Sequence, residues 1–525
     1  MSRRARDCAG TSGAARRRHF PVRPTQKEME RKVHYISAEH LTLDTVRAIL
    51  RDNYELRLSD DAKARITRCR EYLDQKIATA EAPIYGVTTG FGSLCKVSIS
   101  DDQLSQLQIN LMMSHACGEG DRVPRDVVRL MIFLKIQSLS YGYSGAKLDT
   151  VERLVEFFNR GVCPVVYQQG SVGASGDLVP LAHLCLPLVG LGHVEYEGQI
   201  ITGEELNQKM GWEPIHLASK EGLALLNGTQ NMLAFMVWSV LKAQQLSKWA
   251  DLIATMSLDA FDGRPEPFLH PVHAVRPHRG QMETADHIHE LLQGSEIIKR
   301  HKEHVQDPYS FRCIPQVHGA FKDTLHYVED VCTTEMNSAT DNPTVVPEED
   351  MIISAGNFHG EPIALPMDFL AIALNELGSI SERRIYKLGD EQRGLPSMLV
   401  AKPGVNSGFM ITQYAAASIV SQSKMLCMPN SADSIPTCQG QEDHVSMGAN
   451  AATKLYRVAE NTERVLALEL FNAAQALDFR RPLKSSPAVE KLHEEYRKVV
   501  PFIDVDRVMY PLIDKSIKFI AGKEL

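Results

Sequence analysis

The residues that first invite a chemical reading are Gly170-Ser171-Val172-Gly173-Ala174-Ser175-Gly176-Asp177, where two hydroxyls and a carboxylate stand among small residues. Loops of this composition cradle phosphates when they end in Gly-Lys-Ser/Thr or carry GxGxxG after a strand, and neither pattern is present. A hydrolase nucleophile elbow needs GxSxG, whereas Gly176 follows Ser175 directly. A plain glycine-rich turn entering a helix at Asp177 would account for the octapeptide alone, so the decision falls to residues elsewhere. The histidine-rich stretch His270, His273, His278, His287 and His289 lacks the paired spacing of zinc ligands, and no required metal is expected.

From about residue 34 to 515 the chain closely resembles the aromatic amino acid lyase and mutase family, motif after motif in family order. In that family Ala-Ser-Gly is the precursor of 4-methylidene-imidazol-5-one, so the resemblance implies that group here, formed from Ala174-Ser175-Gly176, with no dissociable cofactor. Its formation needs the nitrogen of Gly176 to attack the carbonyl of Ala174, a fold that Cβ-poor residues permit most easily. Loss of water from Ser175 then leaves an exocyclic methylidene, an electrophile no ordinary side chain provides. The resemblance also makes Tyr85, in Tyr85-Gly86-Val87-Thr88-Thr89-Gly90-Phe91-Gly92, a proton-transfer residue. Asn227, in Leu225-Leu226-Asn227-Gly228-Thr229-Gln230, becomes a support for prosthetic group and substrate. Gln306, Tyr309 and Arg312 form a second cluster, Arg312 holding the substrate carboxylate, and Asp177 and Phe358 sit beside the prosthetic group. An arginine suits that duty because its planar fork can meet both carboxylate oxygens. Singly, Tyr85 as a turn aromatic, Arg312 in an ion pair and Phe358 in the core would be unremarkable; together those readings lose.

Two positions bear on the substrate. Ser114-His115 resembles the Ser-His pair at the ring-binding position of the family's histidine-directed lyases, where phenylalanine lyases place apolar residues. Gln441-Glu442-Asp443-His444 resembles the histidine-directed form, whereas tyrosine lyases and mutases commonly read Asn-Gln-Asp. A carboxylate at Glu442 can accept an imidazole N–H or remove a β-proton, a gain that a hydrocarbon ring would not share. The implied reaction is non-oxidative elimination of ammonia from L-histidine to give trans-urocanate, the first step of histidine degradation. The alternatives are a tyrosine or phenylalanine ammonia-lyase, a 2,3-aminomutase, or a silent homologue, the last disfavoured by the intact tripeptide. Tyr85 and Glu442 both remain candidates for the β-proton base.

These residues must be held by a frame, and the apolar spacing indicates which. Ser37, before a Leu-rich stretch, is expected to open a first helix containing Leu43, Val46 and Leu50. The segment to about residue 210 reads as mixed, with turns at 85–92 and a β-like piece at 194–200. Leu223 to Trp249 is apolar nearly all round and reads as one buried helix. Leu370, Leu374, Leu377, Ile385 and Leu388, and Leu466, Leu470, Ala473 and Leu477, recur at helical steps. The expected fold is mainly α: a large helical-bundle core at 211–525, a smaller mixed N-terminal region at 33–210 carrying the Ala-Ser-Gly loop, and a disordered extension at 1–32.

Bulk properties agree with a small-molecule enzyme. The 525 residues are 44% hydrophobic and 23% charged with net charge −8, which offers no electrostatic footprint for nucleic acid or an anionic membrane. Apolar runs such as Met232–Leu241 fall short of the ~20 residues of a bilayer span, and no transmembrane segment is expected. Ten cysteines scattered as singles read as reduced thiols of a cytoplasmic protein. The resemblance implies a homotetramer with active sites shared between subunits.

Overall fold

The computed structural model describes residues 31–89, 92 and 103–525; the expectation for 1–32 falls almost wholly outside them, as do Gly90 and Phe91. In chain order the helices are α1 (Leu43–Arg51), α2 (Asp60–Thr79), α3 (Leu104–His115), α4 (Arg125–Ser140), α5 (Leu148–Arg160), α6 (Leu178–Cys185), α7 (Gly203–Met210), α8 (Glu221–Leu226) and α9 (Gln230–Ala260). They continue as α10 (His270–Ala274), α11 (Arg279–Leu291), α12 (Tyr309–Arg312), α13 (Ile314–Met336), α14 (Glu361–Leu388), α15 (Met410–Leu426), α16 (Gly448–Asp478), α17 (Pro487–Arg497) and α18 (Tyr510–Gly522). Short sheets decorate the N-terminal part: a parallel pair of β1 (Val33–Ile36) and β2 (Glu55–Leu58), and antiparallel pairings among β3 (Glu119–Arg122), β4 (Cys163–Pro164), β5 (Tyr167–Gln169), β6 (His193–Tyr196) and β7 (Gln199–Thr202). A last antiparallel pair, β8 (Thr344–Val346) and β9 (Met351–Ile353), precedes α14.

The fold is mainly α, as the spacing predicts. The β-like piece at 194–200 is the β6–β7 hairpin, turned by Glu197 and Gly198 with φ of 50° and 79°, the left-handed pair a tight hairpin needs. One expected helix start is displaced. Ser37 lies after β1, and α1 begins at Leu43, where Thr42 accepts the N–H of Thr45 at 3.2 Å and Asp44 occupies the first turn. The threonine wins because it stands immediately before the periodic apolar residues and a dipole-matching carboxylate.

At the centre, α9, α14 and α16 pack on one another, with α13, α15 and α4 around them. Their contacts bury Leu370, Leu374 and Leu377 of α14 and Leu466, Leu470 and Leu477 of α16. A buried polar knot ties the three: Arg384 on α14 donates to both oxygens of Glu469 on α16, and Ser257 on α9 donates to the same carboxylate at 2.7 Å. Two fully buried charges are tolerable there because the fork geometry and the added hydroxyl satisfy them. By length and composition α14 could cross a bilayer, yet 67% of its apolar window is buried inside the bundle.

The expectation of one helix from Leu223 to Trp249 is overturned. The chain leaves α8 at Asn227, whose backbone is extended, passes Gly228 at φ +115°, and starts α9 only at Gln230. Hydrophobicity continues across the break, so periodicity hides it; a glycine in a conformation L side chains rarely adopt makes it.

Candidate active site

The break between α8 and α9 is where the tripeptide docks. Gly176 has φ +69° and forms a parallel bridge with Gly228, and the N–H of Asp177 donates to the Gly228 carbonyl at 2.8 Å. A Cβ on Gly176 would stand 2.2 Å from the Gly228 oxygen, so the approach requires glycine on steric grounds and on φ alike. Asn227 donates its side-chain N–H to the Ser175 carbonyl at 2.6 Å. Upstream, Ser446 donates to the carbonyl of Gly173 at 3.1 Å, and Ser171 accepts the N–H of Gly173 at 3.1 Å while facing Gly176 and Asp177. The bend is therefore gripped before, within and after Ala174-Ser175-Gly176.

Asp177 is fully buried at the start of α6, yet its carboxylate serves another helix: it accepts the N–H groups of Asn231 at 3.1 Å and Met232 at 2.9 Å in the first turn of α9. Burial pushes its carboxyl up to about 6, against the pull of these donors. The starts of α14 at Gly360 and α16 at Gly448 come within a methyl's reach of Met232 and Ser446. Four helix N-termini thus converge on the tripeptide, and their partial positive charge favours anions there.

The two residues bearing on the substrate meet at the same place. Glu442 accepts the Ser175 hydroxyl at 2.6 Å and the hydroxyl of Thr437 on its other oxygen. Half-buried His115, the last residue of α3, lies in the electrostatic field of Glu442, while burial holds its pKa below the usual imidazole value. Its Nδ1 pairs with the Ser114 hydroxyl at 3.1 Å. Tyr85 sits in a turn that leans on α8, Gly86 against Leu223, and its phenol oxygen accepts the N–H of Gly92 at 3.3 Å. Phe358, half-buried, stands two residues before Gly360.

Gln306, Tyr309 and Arg312 are elsewhere. Phe311 stacks on Phe261, with centroids 4.3 Å apart, and Phe261 ends α9, whereas the tripeptide docks at its beginning. The 31 residues of α9 span about 45 Å at the helical rise. No arginine side chain bridges that length within one chain. At this far end Asp307 accepts from the Arg264 backbone at 2.7 Å and from the Arg393 guanidinium, and Arg393 also donates to the Gln306 carbonyl. The segment so clasped presents Gln306 on the surface and Tyr309 at 71% exposure, with the Arg312 guanidinium 4.6 Å over the tyrosine ring and its Nε without a partner among the described residues. Gln306 and Tyr309 thus face outward, with Arg312 half-buried behind them.

Several contributors carry no signal in the sequence as chemistry. Gly228, Ser446 and Met232 look like ordinary bundle residues, and only Ser171, two residues before Gly173, shows the local side-chain-to-backbone spacing that marks a turn. The expected histidine-rich stretch serves packing: His273 bonds the Pro267 carbonyl and Gln281, and His287 bonds Asp251. Among the described residues no group of three or more His, Cys, Asp or Glu side chains could hold a metal ion.

Comparison with known proteins follows the same residues. The family described as Aromatic amino acid lyase matches residues 41–498. A histidine ammonia-lyase of Streptococcus gordonii is 45% identical over 494 residues, 93% of this chain and 96% of that protein. The crystal structure of histidine ammonia-lyase from Trypanosoma cruzi superposes with a TM-score of 0.87 at 39% identity, covering 94% of this chain and 93% of that one. A tyrosine aminomutase from Streptomyces globisporus has a TM-score of 0.88 at 34% identity, covering 93% and 96%.

Proposed function

The chain belongs to the aromatic amino acid lyase family, and from that membership we propose that it eliminates ammonia from L-histidine without oxidation, giving trans-urocanate. It is a carbon–nitrogen lyase. The observation that carries the substrate is the Ser175–Glu442 hydrogen bond of 2.6 Å with His115 in the field of the same carboxylate, since it sets an imidazole partner at the serine from which the electrophile derives.

The residues fit 4-methylidene-imidazol-5-one: Gly176 is folded back against Gly228, and Asn227 already donates to the carbonyl that the ring would keep. That group supplies an electrophile that turns the substrate's amine side into a better leaving group. Glu442 is placed to accept the imidazole N–H or to remove the β-proton, and Tyr85 remains the other candidate base. Arg312 binds the carboxylate, with Tyr309 and Gln306 beside it. Asp177 fixes the start of α9 under the tripeptide, and Phe358 closes the apolar wall next to it.

Because α9 holds the carboxylate-binding cluster about 45 Å from its own tripeptide, we infer that sites are shared between subunits of a homotetramer. The exposed apolar side chains of Phe369 and Ile372 on α14 and of Tyr414 and Met425 on α15 support such an assembly. The described cysteines are free thiols, which supports the reducing cytoplasm as its compartment. An absorbance assay for urocanate, with tyrosine and phenylalanine run beside histidine, tests the reading. Ammonia release with urocanate from histidine alone is expected; cinnamate-type products or β-amino acids from the other two substrates would replace it with the lyase or mutase alternatives.

A further inference from the structure

We propose that Lys135 is a positioning residue for closure of Ala174-Ser175-Gly176: from outside every motif, its ammonium holds the Asn227–Gly228 segment against which the tripeptide folds. The inference rests on reading the tripeptide as a prosthetic-group precursor.

Lys135 lies on α4 and is 1% exposed. A buried ammonium survives only where its hydrogens find acceptors. Its Nζ donates to the carbonyls of Asn227 at 2.9 Å and Ala224 at 3.2 Å, the oxygens left open where α8 ends, at the negative pole of that helix. Burial pushes the amine down to about 8, with Lys220 adding to that shift and the carboxylates of Asp341 and Asp177 and the Cys185 thiol opposing it. Even a neutral amine keeps two hydrogens for two carbonyls, so the grip does not depend on the charge.

What Lys135 grips is the surface that shapes the tripeptide. Asn227, held by its carbonyl, donates from its side chain to Ser175, and Gly228, the next residue, bridges Gly176 and accepts from Asp177. In closure the Gly176 nitrogen bonds to the Ala174 carbonyl carbon and passes its hydrogen to that oxygen. The resulting hydroxyl leaves as water with the Ser175 amide hydrogen, forming C=N. The Ser175 hydroxyl then leaves as a second water with the Cα hydrogen, forming C=C. The sequence is redox-neutral and needs no co-reactant. Its difficult part is bringing a planar amide nitrogen onto a neighbouring carbonyl, where small displacements are penalised heavily in rate.

Lys220 supplies a matched control. It is equally buried and donates at 2.7 Å to Asp341 and to the Ser144 carbonyl, with no bond to Asn227. The test uses the full chain as wild type, Lys135→Met, Lys135→Gln, Lys135→Arg and Lys220→Met. The mass of the peptide spanning Ala174–Gly176 is followed with time after synthesis, and circular dichroism establishes that each chain is folded. Expected is a folded Lys135→Met chain that loses the two waters at least ~10-fold more slowly than wild type, with Lys135→Arg recovering most of the rate and Lys220→Met, though less stable, maturing normally. Should Lys135→Met fail to fold, Lys135→Gln carries the same reading with a severalfold slowing. Maturation at the wild-type rate in the folded Met or Gln chain, or equal slowing in Lys220→Met, overturns the role of Lys135. A wild-type chain that keeps both waters overturns the precursor reading instead.

Discussion

The two ends of α9 are finished to different degrees. At its start, Asp177 satisfies the first turn, Asn227 and Gly228 close on the tripeptide, and Glu442 and Ser446 arrive from the far side of the sequence with their bonds made. At its end, Phe311 and Asp307 are firmly held, yet Tyr309 stands 71% exposed and the buried Arg312 Nε is unpartnered among the described residues. A buried donor without an acceptor is costly, and on the proposed reading this well-anchored segment is the half of a site that a second subunit completes. On the proposed function, the first end supplies the electrophile and reads the ring, and the second reads the carboxylate of a substrate lying on a different chain.

Substitutions at the two ends should therefore fail in different ways. The largest effect is expected from Ser175→Ala, which should lower kcat on the order of 10⁴-fold or more while leaving thermal unfolding nearly unchanged, because no other side chain supplies the electrophile. Near-normal turnover would remove chemistry from the start of α9. Glu442→Gln should lower histidine turnover by about 10²–10⁴, the usual worth of a positioned acid or base; unaltered histidine kinetics would detach substrate choice from that end. Asp307→Asn weakens the clasp at the other end, so KM for histidine should rise ~10-fold, the scale of one charge-assisted hydrogen bond, while the tripeptide peptide still loses both waters. A maturation defect in that variant would mean the two ends are one site after all.

The smallest effect concerns pH. His183 on α6 accepts the N–H of Gly118 at 2.9 Å through Nε2, just beyond His115, and burial lowers its pKa. The bond needs a neutral ring. Below the ordinary imidazole value the unfolded chain takes up a proton that folded His183 refuses, so this residue's contribution to stability falls as pH drops toward its lowered folded value, and below that the Gly118 bond is lost. As pH falls from the ordinary imidazole value through the lowered value of folded His183, KM should rise ~5-fold as a bond worth about 1 kcal/mol goes, and His183→Gln should flatten that limb; an unchanged limb would free His115 of this support.

Much of the start of α9 is legible in the sequence through the family resemblance, which singles out Ala174-Ser175-Gly176, Glu442 and His115, whereas the octapeptide alone reads equally as a glycine-rich turn. The helices α14 and α16 were legible from apolar spacing. The break at Asn227–Thr229 was not, since the apolar pattern runs through it and only the +115° φ of Gly228 interrupts the helix. Ser37 and Thr42 both satisfy a cap's residue type, and only position relative to Leu43 decides between them. The separation of Arg312 from its own tripeptide is not readable from motif order, which carries no distance; the resemblance anticipates it only through the subunit sharing it implies, and the length of α9 shows it. Lys135 was invisible for a simpler reason: a lysine inside an apolar helix reads as a surface residue until its carbonyl partners are seen.

The most direct test of the divided site is co-expression of Ser175→Ala with Arg312→Ala, each inactive as a homo-oligomer. Random mixing of the two chains should restore urocanate formation at up to about a quarter of the wild-type sites, since a site drawing its tripeptide from one subunit and its arginine from another is intact with that frequency. Mixed oligomers as inactive as either parent would contradict the account, placing both groups in the same chain's site.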